Sequence, residues 1–124
     1  MKNTTYRSDC PIASTLDLIG DKWTLLILRD MLFGARKFSD FVASAEGMKR
    51  NILSDRLKRL NEHGLIERVP YQDKPPRFDY VLTAKGADLL PVIQAIARWG
   101  ANHLEHAYDP PADLLKWMPS DHAS

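Results

Sequence analysis

A handful of side chains in the middle of this chain have the types and spacing to read the edge of a nucleic-acid base. In "NILSDRLKRLNEHGLI", Asn51 to Ile66, the residues Leu53, Leu57 and Leu60 recur at i, i+4 and i+7, which makes one buried line on a helix. At about 100° per residue from Leu53, Ser54 falls at about 100°, Lys58 at about 140°, Asn51 at about 160° and Asp55 at about 200°. All four project away from the apolar line. Asn51 has the amide to pair with N6 and N7 of adenine, and Lys58 and Arg50 have the donors for O6 and N7 of guanine. Ser54 is compatible with several edges, and Asp55 is the weaker candidate. Arg56, at about 300°, falls beside the buried line and is expected in a structural ion pair. Arg59, at about 240°, is open to either role. A solvated helix face has the same pattern, so the helix alone does not decide.

Other chemistry is sparse. Cys10 is the sole cysteine, which excludes an internal disulfide framework and a multi-cysteine zinc site. It precedes Pro11 at the expected start of a helix, where partial positive charge and the nearby Arg7 favour a thiolate. His103 and His106 are spaced to share a metal on a helix, but two ligands with no neighbouring cysteine or carboxylate cluster make a poor site. The chain contains no GxGxxG, no phosphate-binding glycine loop ending in Lys-Ser/Thr and no HExxH. An enzyme is therefore not expected, and neither catalytic residue, metal nor cofactor is predicted.

The charge balance agrees with the helix. The net charge of +1 hides a basic middle: between Arg36 and Arg59, seven basic residues face only Asp40, Glu46 and Asp55. From Gly100 onward Lys116 faces Glu105, Asp109, Asp113 and Asp121. A basic segment within a folded region suits a polyanion. The length of 124 residues is one domain's worth. No apolar run reaches the roughly 18 residues of a membrane span, and nothing resembles a secretory leader, so a cytoplasmic location is expected.

The elements that must position these groups follow from local signals. Cys10 to Ile19 reads as a short helix with Pro11 in its first turn, ended by Gly20. Asp21 caps a second helix, "KWTLLILRDMLF", apolar over so much of its circumference that it belongs in the middle of a bundle. Ser39 is the expected N-cap of a two-turn third helix, with Phe38 and Val42 as a hydrophobic staple. Gly64 ends the fourth. The β-prone runs "LIERVPY" and "RFDYVLT", separated by "QDKPP", predict a two-stranded ribbon. Thr83 caps a last helix, interrupted or kinked at Pro91. The fold class is mainly α with a small β-hairpin, a winged helix-turn-helix.

Several segments resemble the HxlR-type winged helix regulators of bacteria: "CPIASTLDLIGDKWTLLILRDMLFGARKFSDF", "ILSDRLKRLNEHGLIER", "YQDKPPRFDYVLTAKG" and the terminal "LPVIQAIARWG". The resemblance spans roughly residues 10–104 and is most specific in the wing, at Tyr71, Pro75, Pro76, Arg77, Tyr80, Leu82 and Thr83. Lys49 departs from it, standing where many members have a small capping residue. The resemblance implies a homodimeric transcription factor on palindromic operator DNA. Its expected layout is an N-terminal arm at 1–9, the winged domain at 10–108 and a C-terminal tail at 109–124. Within the domain the recognition helix is expected at about 49–63, the wing at about 65–82 and the dimer helix at about 84–107.

On this frame the double-stranded DNA contacts are expected at Arg50, Asn51, Ser54, Asp55 and Lys58 for bases, with Arg36, Lys37, Ser39, Lys74 and Arg77 positioning the phosphate backbone. Ile12, Leu16, Ile93, Ile96, Trp99 and Leu104 are expected to pair two copies, the alternative being that they complete the core of one. Similar regulators with a cysteine at the Cys10 position sense quinones, aldehydes or oxidants through it. A plain cap-and-packing role is the alternative, as is gating by a small-molecule effector. A winged helix used for protein interaction predicts an apolar recognition face, which Asn51, Ser54, Asp55 and Lys58 do not supply.

Overall fold

Leu53, Leu57 and Leu60 form the line that the sequence predicts, each with at most 2% of its surface exposed, and the rest of the molecule is built around it. The computed structural model describes residues 8–44 and 46–122. Most of the expected N-terminal arm, including Arg7, lies outside the described residues. The helices are α1 (Pro11–Ile19), α2 (Thr24–Leu32), α3 (Phe38–Val42) and α4 (Arg50–Glu62), followed by strands β1 (Ile66–Gln72) and β2 (Arg77–Leu82). Then come α5 (Ala84–Ala87), α6 (Leu90–His103), α7 (Ala112–Lys116) and a 3-10 turn at Pro119–Asp121.

The second helix is central, as its composition requires. Ile27, Leu28 and Met31 are buried against Phe41 of α3, the leucines of α4, and Leu65, Ile66 and Leu82 at the base of the hairpin. Helix α2 begins at Thr24 with Trp23 in the N-cap position, two residues later than expected, but the Asp21 carboxylate still serves its first turn: one oxygen accepts from the backbone N–H groups of Trp23 at 3.0 Å and Thr24 at 3.2 Å. At α3 the expectation needs correction. Ser39 lies inside the helix, and Lys37 holds the N-cap position. The carboxylate of Asp40 takes the backbone N–H groups of Arg36 and Lys37, both at 2.9 Å. A carboxylate in the first turn is the stronger acceptor for groups that also carry the helix dipole's positive end.

The join between α4 and the wing is tightly specified. Gly64 takes φ +75°, where a side chain would be strained. Its N–H donates to the Asn61 carbonyl at 3.2 Å, and Leu65 N–H to the Leu60 carbonyl at 2.9 Å. That pair of bonds is a Schellman end. The strands pair antiparallel from Ile66 opposite Leu82 to Gln72 opposite Arg77, with a register shift between Pro70 and Gln72. Thr83 then caps α5, accepting from Gly86 N–H at 3.1 Å while its hydroxyl donates to the Gly64 carbonyl at 2.5 Å. A Cβ on Gly86 would lie 1.9 Å from the Leu65 carbonyl oxygen, so α5 approaches the wing base more closely than any side chain permits.

The last helix is divided. The break falls at Asp88 and Leu89, which places Pro91 in the first turn of α6, where its missing N–H costs nothing. Helix α6 stops at His103, short of the expected 107, because Leu104 turns to extended backbone. The residues after it fold back. Leu114 of α7 is buried, and the Gln94 amide donates to the carbonyls of Leu114 at 2.8 Å and Trp117 at 2.9 Å. The Trp117 ring sits edge-on to Phe33 at 4.9 Å.

Candidate nucleic-acid interface

With its leucine line buried, α4 turns Arg50, Asn51, Ser54, Asp55 and Lys58 to solvent. Arg56 enters an ion pair, as its angular position predicts: Nε meets Asp21 at 2.8 Å. Its other end engages Asp55, so the carboxylate of Asp55 is held along the helix by a neighbour. Partial burial opposes ionisation of Asp21, but hydrogen bonds from the Thr24 hydroxyl, Arg56 and the Trp23 N–H outweigh it and hold the carboxyl at about 2. This cluster locks α4 to the start of α2. Arg59 reaches the Asp17 carbonyl on α1 at 3.5 Å. Lys49 caps α4 in position only, making no side-chain bond to the first turn.

Two grooves flank the exposed face, and they share Phe38 and Tyr80 as a wall. One is lined by Lys37, Ser39, Arg50 and Arg77, joining the start of α3 to the start of α4 and the wing. The other is lined by Ser54, Lys58, Asn61 and Arg68. Six of the ten residues expected at DNA therefore converge on one continuous surface. Asn51 and Asp55 stand on the exposed helix face beside it, and Lys74 lies exposed at the wing tip. Arg36 differs. One guanidinium nitrogen donates to the carbonyls of Met31 at 3.2 Å and Ala35 at 2.9 Å, capping the end of α2. A cation is well placed there by the helix dipole, and that end of Arg36 is turned into the chain.

Lys37 is shared between partners. Its ammonium contacts Asp79 at 2.6 Å and lies 4.1 Å from the centre of the Tyr71 ring. The bond to Asp79 lifts its pKa above the ordinary lysine value. Tyr80 N–H donates to the Arg36 carbonyl at 2.7 Å, so the wing is hydrogen-bonded to the turn before α3. Arg68 was not among the expected contacts. Its guanidinium stacks 4.2 Å over the Phe78 ring, and its backbone N–H donates to the Asn61 side-chain oxygen at 3.3 Å. The signal was available: in the hairpin register Arg68 faces Tyr80, and alternate positions place Phe78 on the same side.

A second surface lies on α1, α6 and the residues that follow α6. Ile12 is 72% exposed, Trp99 60% and Tyr108 81%, and Leu16, Ile96 and Leu104 are also open. Ile12, Leu16, Val92 and Ile96 line one groove between the two helices. Ile93, grouped with them in the sequence, is 8% exposed and belongs to the chain's own core. Cys10 is exposed at the start of α1, its N–H donating to the Ser8 hydroxyl at 3.0 Å, and its thiol makes no capping bond. His103 packs against Trp99 at 4.8 Å.

Comparison with known proteins bears on this arrangement. The profile of the HxlR-like helix-turn-helix family matches residues 18–108. The Mycobacterium tuberculosis protein Rv3095, described as an HTH-type transcriptional regulator, is 40% identical over 112 residues, covering 90% of this chain and 70% of its own length. The crystal structure of PA1607, described as a transcription factor, superposes with a TM-score of 0.73 at 39% identity, covering 85% of this chain and 72% of that one. The redox regulator HypR in its reduced form superposes with a TM-score of 0.71 at 29% identity, covering 77% and 95%.

Proposed function

Because the chain belongs to the HxlR-like helix-turn-helix family of DNA-binding transcriptional regulators, we propose that it binds a specific operator as a homodimer, with α4 in the major groove and the wing on the flanking backbone. One observation carries this reading: the polar face of α4 opens onto the two grooves that collect Lys37, Ser39, Arg50, Ser54, Lys58 and Arg77. A groove about 12 Å wide admits a helix only if most of the helix is left bare. Arg77, Lys74 and the shared Lys37 supply phosphate contacts that position without specifying. The exposed apolar surface of α1 and α6 is the pairing surface, which sets two α4 helices about 34–36 Å apart on a palindrome.

A gel shift tests this with duplex from upstream of the protein's own gene against random duplex. The upstream DNA is retained more tightly at every salt concentration, and both affinities fall steeply as salt rises. Equal affinity for the two duplexes across the series would remove specific regulation from the account.

Exposure of the Cys10 thiol on α1, the helix that carries Ile12 and Leu16, favours a second layer. In it, oxidants or electrophiles alter pairing through this thiol, as the likeness to a redox regulator suggests. With one thiol per chain the products are an intersubunit disulfide, a mixed disulfide or an alkylated adduct. Diamide or a quinone changes DNA affinity in the wild type and not in Cys10→Ser. The same response in both proteins would take Cys10 out of the mechanism.

A further inference from the structure

Beside the exposed apolar face of α1 and α6, α2, α6 and the segment 107–114 line a partly open cavity of about 470 Å³, within the range of small-molecule sites. Its walls are almost entirely apolar: Leu26 and Phe33 from the α2 side, Ala97 and Ala101 from α6, Tyr108 and Pro111 from the returning segment. The small side chains of Ala97 and Ala101, with Gly100 between them, leave room where larger residues would fill the space. The returning segment is anchored rather than laid loosely over the opening, since Leu114 is buried and Gln94 holds its carbonyl.

Charge decides the class of occupant. The charged residues in the wall are Arg29 and Asp30, which neutralise each other through bonds of 3.1 and 2.8 Å, and Arg29 also pairs with Glu46 at 3.0 Å. An ionised ligand would have to break these pairs or be buried without a counter-charge. A neutral one leaves them intact. The same residues suggest a consequence. Arg29 ties α2 to Ser44 and Glu46, on the turn leading to α4. Ile96 forms a wall both of this cavity and of the groove between α1 and α6.

We propose that this cavity binds a neutral, mostly hydrocarbon small molecule of one or two aromatic rings, and that its occupancy changes DNA affinity; the second half rests on the regulator reading above. The occupant touches both the helix that anchors the α3–α4 turn and the helix that carries the pairing surface.

The test is a titration of the full chain with N-phenyl-1-naphthylamine, a neutral fluorescent probe, without DNA. Binding is saturable in the wild type and in Thr15→Asn, which alters the neighbouring groove. It weakens about tenfold or more in Ala97→Phe and Ala101→Phe, each of which places a ring in the cavity; thermal melts identify the folded variants, and either one suffices. If both filled variants were unfolded, Leu26→Trp would fill the cavity from the α2 side. Absence of saturable binding, undiminished binding in a folded filled variant, or loss in Thr15→Asn would overturn the site. The probe then shifts wild-type DNA affinity by about fivefold or more and leaves a filled variant unaffected; an unchanged wild-type affinity would overturn the coupling. A protein that takes up the probe but never prefers its upstream DNA would refute specific regulation and leave the cavity assignment standing.

Discussion

At the scale of single residues, Asp21 joins two functions that the sequence lists thirty-five positions apart: it caps α2 and holds Arg56 of α4. Its carboxyl sits at about 2 in the folded chain against 3.8 as a free side chain. As pH falls between those values the unfolded chain gains a proton that the native state refuses, so stability present above about 4 is lost as pH drops towards 2. Asp40, also lowered, by the backbone N–H groups of Arg36 and Lys37, acts in the same direction. Urea titrations of Asp21→Asn should show a loss of about 1–3 kcal/mol at neutral pH and a shallower decline on acidification than in the wild type. An unchanged acid limb would mean that Asp21 is not the group responsible.

At the scale of elements, α5 approaches the wing base closely at Gly86. Gly86→Ala places a methyl group against the Leu65 carbonyl, and the resulting backbone shift should cost about 1–3 kcal/mol, read as a lowered urea midpoint. A midpoint equal to the wild type's would show that α5 can move away freely. The elements legible in the sequence are those whose signals are local: the leucine line of α4, Gly64 at its end, the prolines at the wing tip, Thr83 before α5. What escaped it depends on partners distant in the chain. Gln94 reads as an ordinary helix residue, yet it is buried because it binds two carbonyls of the returning tail. Arg36 reads as a free cation until the end of α2 is placed beside it. Ile93 and Ile96 share a helix, but only packing separates the core residue from the exposed one.

At the scale of the molecule, two exposed surfaces differ in character. One is a basic, polar face made by α4, the start of α3 and the hairpin; the other is an apolar face on α1 and α6. The apolar core of α2 and the hairpin base joins them, and the bonds of Arg56 to Asp21 and of Arg59 to the Asp17 carbonyl tie α4 to α1 and the turn after it. On the proposed reading, two α4 helices held by one pairing surface require a target with two related halves. The most direct measurement is selection of duplexes from a random pool by the wild-type protein and by Asn51→Ala. The account predicts that the wild type enriches inverted repeats with half-site centres about one helical turn apart, or a multiple of it, and that Asn51→Ala loses discrimination at one position in each half while keeping its affinity for random DNA. A wild-type pool with no enriched motif, or one that Asn51→Ala reproduces unchanged, would contradict it.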